Sequence, residues 1–350
     1  MSTSTSLLYS LWSLCLEAGT VAYLLGPYLF VPSLADGTMG GKTQFNPATD
    51  IPSLEGKVIL VTGGNTGLGK QTIAYLAAHS PARIYLAART ASKAESAIAD
   101  IQREVPSAVI EHLPLDLTSF SSIAEAASTF KSREERLDTL INNAGIMMTP
   151  FSLTKEGYEI QFGTNHVGHA LFTKLLMPVL LKTTEQPGAD VRIINVSSLG
   201  MMAAPSGGIV FNQSELEKQY TWRRYGQSKL ANILFTRELS ARYPQITSVS
   251  VHPGVIITDL YNAFVSGPFM KIGFWFYKQL VPILPGHFKD TKGGALSQTY
   301  LAAVDKSNLQ NGEFYRPVGI VTKGSKYSQD LGLARKLWEW TEEELGKYGY

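Results

Sequence analysis

Short apolar runs recur along the chain, and each is followed by a stretch with helical spacing of its apolar positions. Val58-Ile59-Leu60-Val61 is an unbroken apolar run, and Leu68 to Ala78 follows with the spacing of a helix. The alternation continues with a strand over Arg83–Ala88 and a helix over Lys93–Glu104, then Val109–Leu115 and Phe120–Arg133. Leu137–Ile141 precedes a long helical stretch from about Phe162 to Leu181. Val191–Val196 precedes a helix over Tyr225–Arg242, and Thr247–Val251 reads as a sixth strand. Strands apolar at every position must be covered on both faces, and strands joined by helices run parallel. The pattern predicts an α/β fold: a doubly wound parallel sheet in a single domain over residues 56–350. Residues 264–288 carry Phe274-Trp275-Phe276-Tyr277 and several prolines, break the rhythm, and read as an insertion.

Residues 1–31 form a hydrophobic N-terminal segment. Leu7 to Val31 is long enough to cross a bilayer, for which about 20 apolar residues suffice. Glu17, Ser10, Ser13 and the Gly26-Pro27 break oppose that reading. Three alternatives stay open: a membrane-associated helix, a helix docked on the domain, or, least favoured, a cleaved signal. No Lys or Arg precedes Lys42, so a secretory leader lacks its positive start. The basic residues after the segment favour a catalytic domain facing the cytoplasm. Residues 32–55 read as a linker, broken by Gly37, Gly40, Gly41, Pro47 and Pro52.

Composition narrows the function. Of 350 residues, 44% are hydrophobic and 17% charged, which excludes a disordered chain. The formal net charge is +2 with no long basic run, which argues against nucleic acid as a partner. Cys15 is the one cysteine, so an internal disulfide and a Cys-based zinc site are excluded, and the chain reads as intracellular. The histidines show no metal-ligand spacing, so no metal is expected, and His169 reads as a packed helix residue.

The first strand runs into Thr62-Gly63-Gly64-Asn65-Thr66-Gly67-Leu68-Gly69, and a helix follows. Glycines at 63, 67 and 69 let the backbone turn tightly and approach a pyrophosphate, and the helix N-terminus favours that anion. A carboxylate after the second strand would bind a ribose 2′-hydroxyl. Arg89 stands there instead, a cation suited to a 2′-phosphate, which favours NADP. Asp116 could accept from an adenine amino group, and Asn142-Asn143-Ala144-Gly145 ends the fourth strand at the crevice. Tyr225 and Lys229 lie four apart on one helix face, after the Ser197-Ser198 pair. A phenol is a weak acid–base at neutral pH unless a nearby ammonium favours its phenolate. Ser198, nearer the loop than Ser197, is the residue expected to polarise a carbonyl. Asn165 could hold a water linking Lys229 to solvent.

These motifs stand in the order of the short-chain dehydrogenase/reductase family over roughly residues 55–260, and the chain resembles that family. Asn165-His166-Val167-Gly168-His169 and Ser228-Lys229-Leu230-Ala231-Asn232 resemble its retinol dehydrogenase-like branch, whose relatives also serve microbial natural-product pathways. The resemblance implies a Rossmann-type fold and a Ser198-Tyr225-Lys229-Asn165 tetrad. Tyr225 would be the acid–base, and Asn165 would support a proton relay. Gly63, Gly67, Leu68, Gly69, Arg89, Asp116, Asn142, Tyr225, Lys229, Ile256 and Thr258 would line NADP. It further implies a small hydrophobic alcohol/carbonyl substrate with the 264–288 insertion on the substrate side, a homodimer through the long helices, and an endoplasmic-reticulum membrane association. A non-catalytic dinucleotide-binding scaffold on the same fold is the alternative, and the intact tetrad argues against it.

Overall fold

The computed structural model describes residues 44–256, 287–288 and 290–350. Each apolar run becomes a strand: β1 (Val58–Thr62), β2 (Arg83–Ala88), β3 (Ile110–Pro114), β4 (Thr139–Asn142), β5 (Arg192–Val196) and β6 (Thr247–Val251). They are joined by α1 (Gly67–Ala77), α2 (Ala91–Glu104), α3 (Phe120–Arg133), α4 (Gly168–Thr184) and α5 (Thr221–Arg242). Two short strands follow, β7 (Val255–Ile256) and β8 (His287–Phe288), and pair with each other. The chain then continues through α6 (Thr291–Ala303), β9 (Phe314–Arg316), β10 (Ile320–Thr322) and α7 (Leu331–Gly346).

The eight-stranded sheet has the order β10-β9-β6-β5-β4-β1-β2-β3. Neighbours are parallel except at the β9–β10 edge, which is antiparallel. The chain order reverses between β1 and β4, which opens a crevice beyond the C-terminal ends of those strands. Alternate residues divide the core. Val58, Leu60, Tyr85, Leu113, Leu140 and Ile193 face α3, α4, α5 and α7. Ile59, Val61, Ile84, Leu86, Ile141 and Ile194 face α1, α2 and α6. Two covered faces are the reason these strands read as unbroken apolar runs. Burying each such Leu or Ile contributes about 1.5–3 kcal/mol.

The structure refines several sequence boundaries. The stretch from Phe162 is not one helix: a π-helical turn over Gly163–Val167 precedes α4. The helix of Tyr225 begins a turn earlier, at Thr221. The end of the expected linker is packed, with Ile51 and Leu54 buried in the second core face and Phe45 edge-on to Tyr300 at 5.3 Å. On the first face, α7 lies against α5 and reaches α4. Trp338 stacks on Phe235 at 5.5 Å, and Lys174 pairs with Glu342 at 2.7 Å. The hydrophobic segment 1–31 and nearly all of the 264–288 insertion lie outside the described residues. Among those described, no helix is long and apolar enough to cross a membrane.

Candidate active site

The crevice is a cleft of ≈ 590 Å³. Its floor at one end is the turn after β1. Thr62 Oγ1 accepts the backbone N–H groups of Asn143 at 3.0 Å and Ala144 at 2.9 Å, which ties the end of β1 to the end of β4. Gly63 follows at φ +66°, a conformation that side chains with a Cβ resist. A Cβ on Gly69 would stand 2.6 Å from Asn143 Nδ2 and nearer still to the Gly63 carbonyl oxygen. The glycines therefore clear a cradle that any side chain would fill. Helix α1 begins at Gly67 and carries no acidic residue in its first turn, so its N-terminus is open to an anion. Leu68 lines this end.

Arg89, at the C-terminal end of β2, also lines the cleft and is exposed. Lys93, on the first turn of α2, lines it too, and neither cation has an ion pair among the described residues. Asp116 Oδ1 accepts from the Thr118 N–H at 2.9 Å and the Thr118 hydroxyl at 2.7 Å. That turn holds the carboxylate at the cleft wall.

Asn142 departs from its expected place. Its side chain is buried away from the cleft and donates to Thr173 Oγ1 at 3.1 Å and Asn195 Oδ1 at 2.8 Å. Strand alternation explains this, because Leu140 and Asn142 share the α4 face. Asn143, Ala144 and Gly145 line the cleft instead. Ile256 lies in β7, two residues past cleft-lining Gly254. Thr258 lies outside the described residues.

At the opposite end three side chains converge. Ser198 Oγ accepts the Gly200 N–H at 3.0 Å and is hydrogen-bonded to Tyr225. Ser197 turns inward and donates to the Lys229 carbonyl at 2.7 Å, so Ser198 is the serine beside the tyrosine. A Cβ on Gly200 would meet the Tyr225 ring at 2.7 Å, so the ring packs on a glycine. Lys229 Nζ donates to the Val196 carbonyl at 3.0 Å and lies 5.9 Å from the centre of the Tyr225 ring. Burial pushes the Tyr225 phenol up to about 12, while the Ser198 hydrogen bond pulls it down. Burial pushes Lys229 down to about 8, which still leaves it largely charged near neutrality. Desolvation thus opposes the expected lowering of the tyrosine, and the hydrogen bond from Ser198 is what works against it.

The Asn165 side chain is fully engaged. It accepts from the Ile146 N–H at 2.9 Å, and its Nδ2 donates to the Ile146 carbonyl at 2.9 Å and to Ser228 Oγ at 2.9 Å. Ser228 Oγ in turn donates to the Tyr225 carbonyl at 2.8 Å. Asn165 therefore clamps the loop after β4 to the helix of Tyr225 and Lys229. Met147, Met148 and Trp222 form a small apolar cluster with Tyr225. Arg224 and Glu159, a buried pair at 3.1 Å, fix the start of that helix to the neighbouring turn. Among the described residues, no group of three His, Cys, Asp or Glu side chains is placed to hold a metal ion. Thr62, Asn143 and Ser228 lie within the sequence motifs and carry site geometry to which the motifs assign no role.

Known proteins share this arrangement of elements. The family described as short chain dehydrogenase matches residues 57–267. The short-chain dehydrogenase/reductase drtF of Aspergillus calidoustus is 39% identical over 310 residues, or 85% of this chain and 96% of that protein. Retinol dehydrogenase 12 of Mus musculus is 34% identical over 322 residues, 91% of this chain and 94% of that one. A putative uncharacterized protein from Mycobacterium paratuberculosis superimposes with a TM-score of 0.64 at 29% identity, over 85% of this chain and 97% of that chain. The chain belongs to the short-chain dehydrogenase/reductase family of oxidoreductases, with retinol dehydrogenases among its relatives.

Proposed function

We propose that the protein is an NADP-dependent oxidoreductase that interconverts a hydrophobic alcohol and its aldehyde or ketone. One observation carries this reading: Ser198, Tyr225 and Lys229 meet at one end of a cleft whose other end is a glycine-cleared anion cradle. The residues present fit a nicotinamide dinucleotide. Gly63, Gly67 and Gly69 leave room for the pyrophosphate, Asp116 suits the adenine, and Arg89 with Lys93 suits a 2′-phosphate. The nicotinamide, when bound, supplies or accepts the hydride.

The chain's own residues handle the proton and the orientation. In the reducing direction, the Tyr225 hydroxyl gives its proton to the carbonyl oxygen, and Ser198 Oγ donates a hydrogen bond to the same oxygen. In the oxidising direction, the phenolate takes the alcohol proton. Lys229 favours that phenolate by its charge. Met147 lines the cleft beside Tyr225 and is backed by Met148 and Trp222, so the wall next to the phenol is apolar. The retinol dehydrogenase relatives support a lipophilic substrate, since the alcohol in their name is one. The test is a screen of retinal, aliphatic aldehydes, steroids and polyketide-like ketones, beside small polar aldehydes and ketones, with NADPH, read as loss of its absorbance. Turnover of apolar carbonyls is expected. Turnover restricted to small polar ones would overturn the substrate class.

A further inference from the structure

Between the two ends of the cleft lies a buried imidazole that the chemistry above does not use. His169 is 2% exposed, on the first turn of α4. Its Nδ1 is 3.0 Å from the Asn165 carbonyl oxygen, and its Nε2 is 2.9 Å from Thr62 Oγ1. A carbonyl oxygen only accepts, so Nδ1 carries the hydrogen. Thr62 Oγ1 already accepts two backbone N–H groups, from Asn143 and Ala144. Its own hydrogen is left to donate, and the imidazole at 2.9 Å is a better acceptor position than the Ile141 carbonyl at 3.4 Å. Nε2 is therefore the acceptor, and donors and acceptors balance with a neutral ring.

We propose that His169 is a positioning residue for the reaction. Its neutral, Nδ1-protonated imidazole bridges the Thr62 turn at the dinucleotide end to the Asn165 turn at the catalytic end, and sets their spacing. The line of contacts is continuous. Thr62 holds the start of the loop after β4 at Asn143 and Ala144. His169 joins Thr62 to Asn165. Asn165 holds the same loop further on, at Ile146, and through Ser228 it reaches the Tyr225 carbonyl. A rigid link of this kind fixes where the phenol stands relative to the dinucleotide cradle, and small misplacements there reduce turnover. Burial pushes the imidazole down to about 4, and Lys229 adds to that direction. His166, also buried, is the neighbouring titratable ring.

The inference rests on the oxidoreductase reading of the cleft, and one arm of its test does not depend on activity. Nitrogen NMR of the histidine-labelled, cofactor-free protein should show one ring protonated on Nδ1 that does not titrate between about pH 5 and 8. The signal is assigned by its loss in His169→Asn. The second arm is kinetic. His169→Phe keeps much of the shape and removes both hydrogen bonds, and kcat should fall about tenfold with the KM for the carbonyl substrate little changed. His169→Asn restores a donor near the Nδ1 position and should recover a good part of kcat, although both variants pack differently from the wild type. Three results would overturn the proposal: a ring that titrates in that range or is protonated on Nε2, wild-type kcat in His169→Phe, or equal losses in the Phe and Asn variants. If His169→Phe does not fold, the NMR decides: an Nδ1-protonated ring that does not titrate supports the proposal, and a titrating or Nε2-protonated ring overturns it. Turnover surviving Tyr225→Phe would instead defeat the acid–base role of Tyr225, and a wild type that turns over no carbonyl or alcohol would defeat the oxidoreductase reading; either result leaves the NMR result standing.

Discussion

Replacing Gly69 by alanine should damage the dinucleotide cradle more than it damages the fold. The new Cβ would lie 2.6 Å from Asn143 Nδ2 and nearer to the Gly63 carbonyl oxygen, where ordinary contacts fall at 3.4–4 Å. Neither neighbour is the free end of a flexible side chain. The first is an amide that donates to the Thr62 carbonyl at 2.8 Å, with its oxygen accepting from Gln298 at 3.1 Å. The second is backbone. The turn must therefore open by about 1 Å, and overpacking of this kind costs about 1–3 kcal/mol. Carried into binding, that is an affinity for NADPH weaker by about fivefold to over a hundredfold. Gly157→Ala is the control. Gly157 has φ +90° and nothing within 4 Å of a Cβ, so it suffers backbone strain away from the cleft. Calorimetric titration with NADPH and thermal unfolding of both variants separate the effects. Gly69→Ala should lose affinity and Gly157→Ala only stability. An undiminished NADPH affinity in Gly69→Ala would refute the cradle argument.

Two further outcomes follow from named groups. Arg89→Asp should shift cofactor preference from NADP toward NAD, since a charge-assisted contact is worth about 1.5–3 kcal/mol, or about ten- to over a hundredfold. Competitive titration with both cofactors checks it, and equal affinities in the wild type would contradict it. Burial holds His166 down at about 3 and His169 at about 4, against 6.5 for an exposed imidazole. Between pH 6.5 and about 4 the unfolded chain binds protons that the folded chain does not, so stability rises with pH through that window. Acidification should remove up to about 1.4 kcal/mol per pH unit for each ring. Urea unfolding at about pH 7 and pH 5 measures the slope. His166→Phe should make it shallower, and an unchanged slope would contradict the assignment.

Sequence periodicity revealed those parts of the structure that are periodic. Strands β1 to β6 are apolar on both faces and stand out, whereas Phe314–Arg316 and Ile320–Thr322 are three residues each and give no period to read. Helix α6 begins with two glycines after its first turn residues, which hides it. The glycine turn and the Tyr225/Lys229 pair were legible because backbone geometry and helical spacing demand those residue types. Asn142 was misplaced by one residue, since the motif fixes the loop but the pleat decides which asparagine faces the cleft. The roles of Thr62, Ser228 and His169 were not legible. Their effect depends on hydrogen bonds across 63 to 107 positions of sequence, from Asn165 to Ser228 and from Thr62 to His169. No local pattern records such pairs. The motif points to Asn165 as the holder of a water, and the three hydrogen bonds of its side chain add a clamping role that no local pattern records.

The central claim is that Tyr225 moves the proton in a working oxidoreductase. Tyr225→Phe removes one oxygen from a buried ring and leaves the packing on Gly200 in place. The measurement is NADPH affinity and carbonyl turnover on the same preparation of that variant, beside wild type. The account requires an affinity within about threefold of wild type and a turnover lower by at least about a hundredfold, in the range of general acid–base catalysis. Turnover close to that of the wild type, with NADPH still bound, would contradict it.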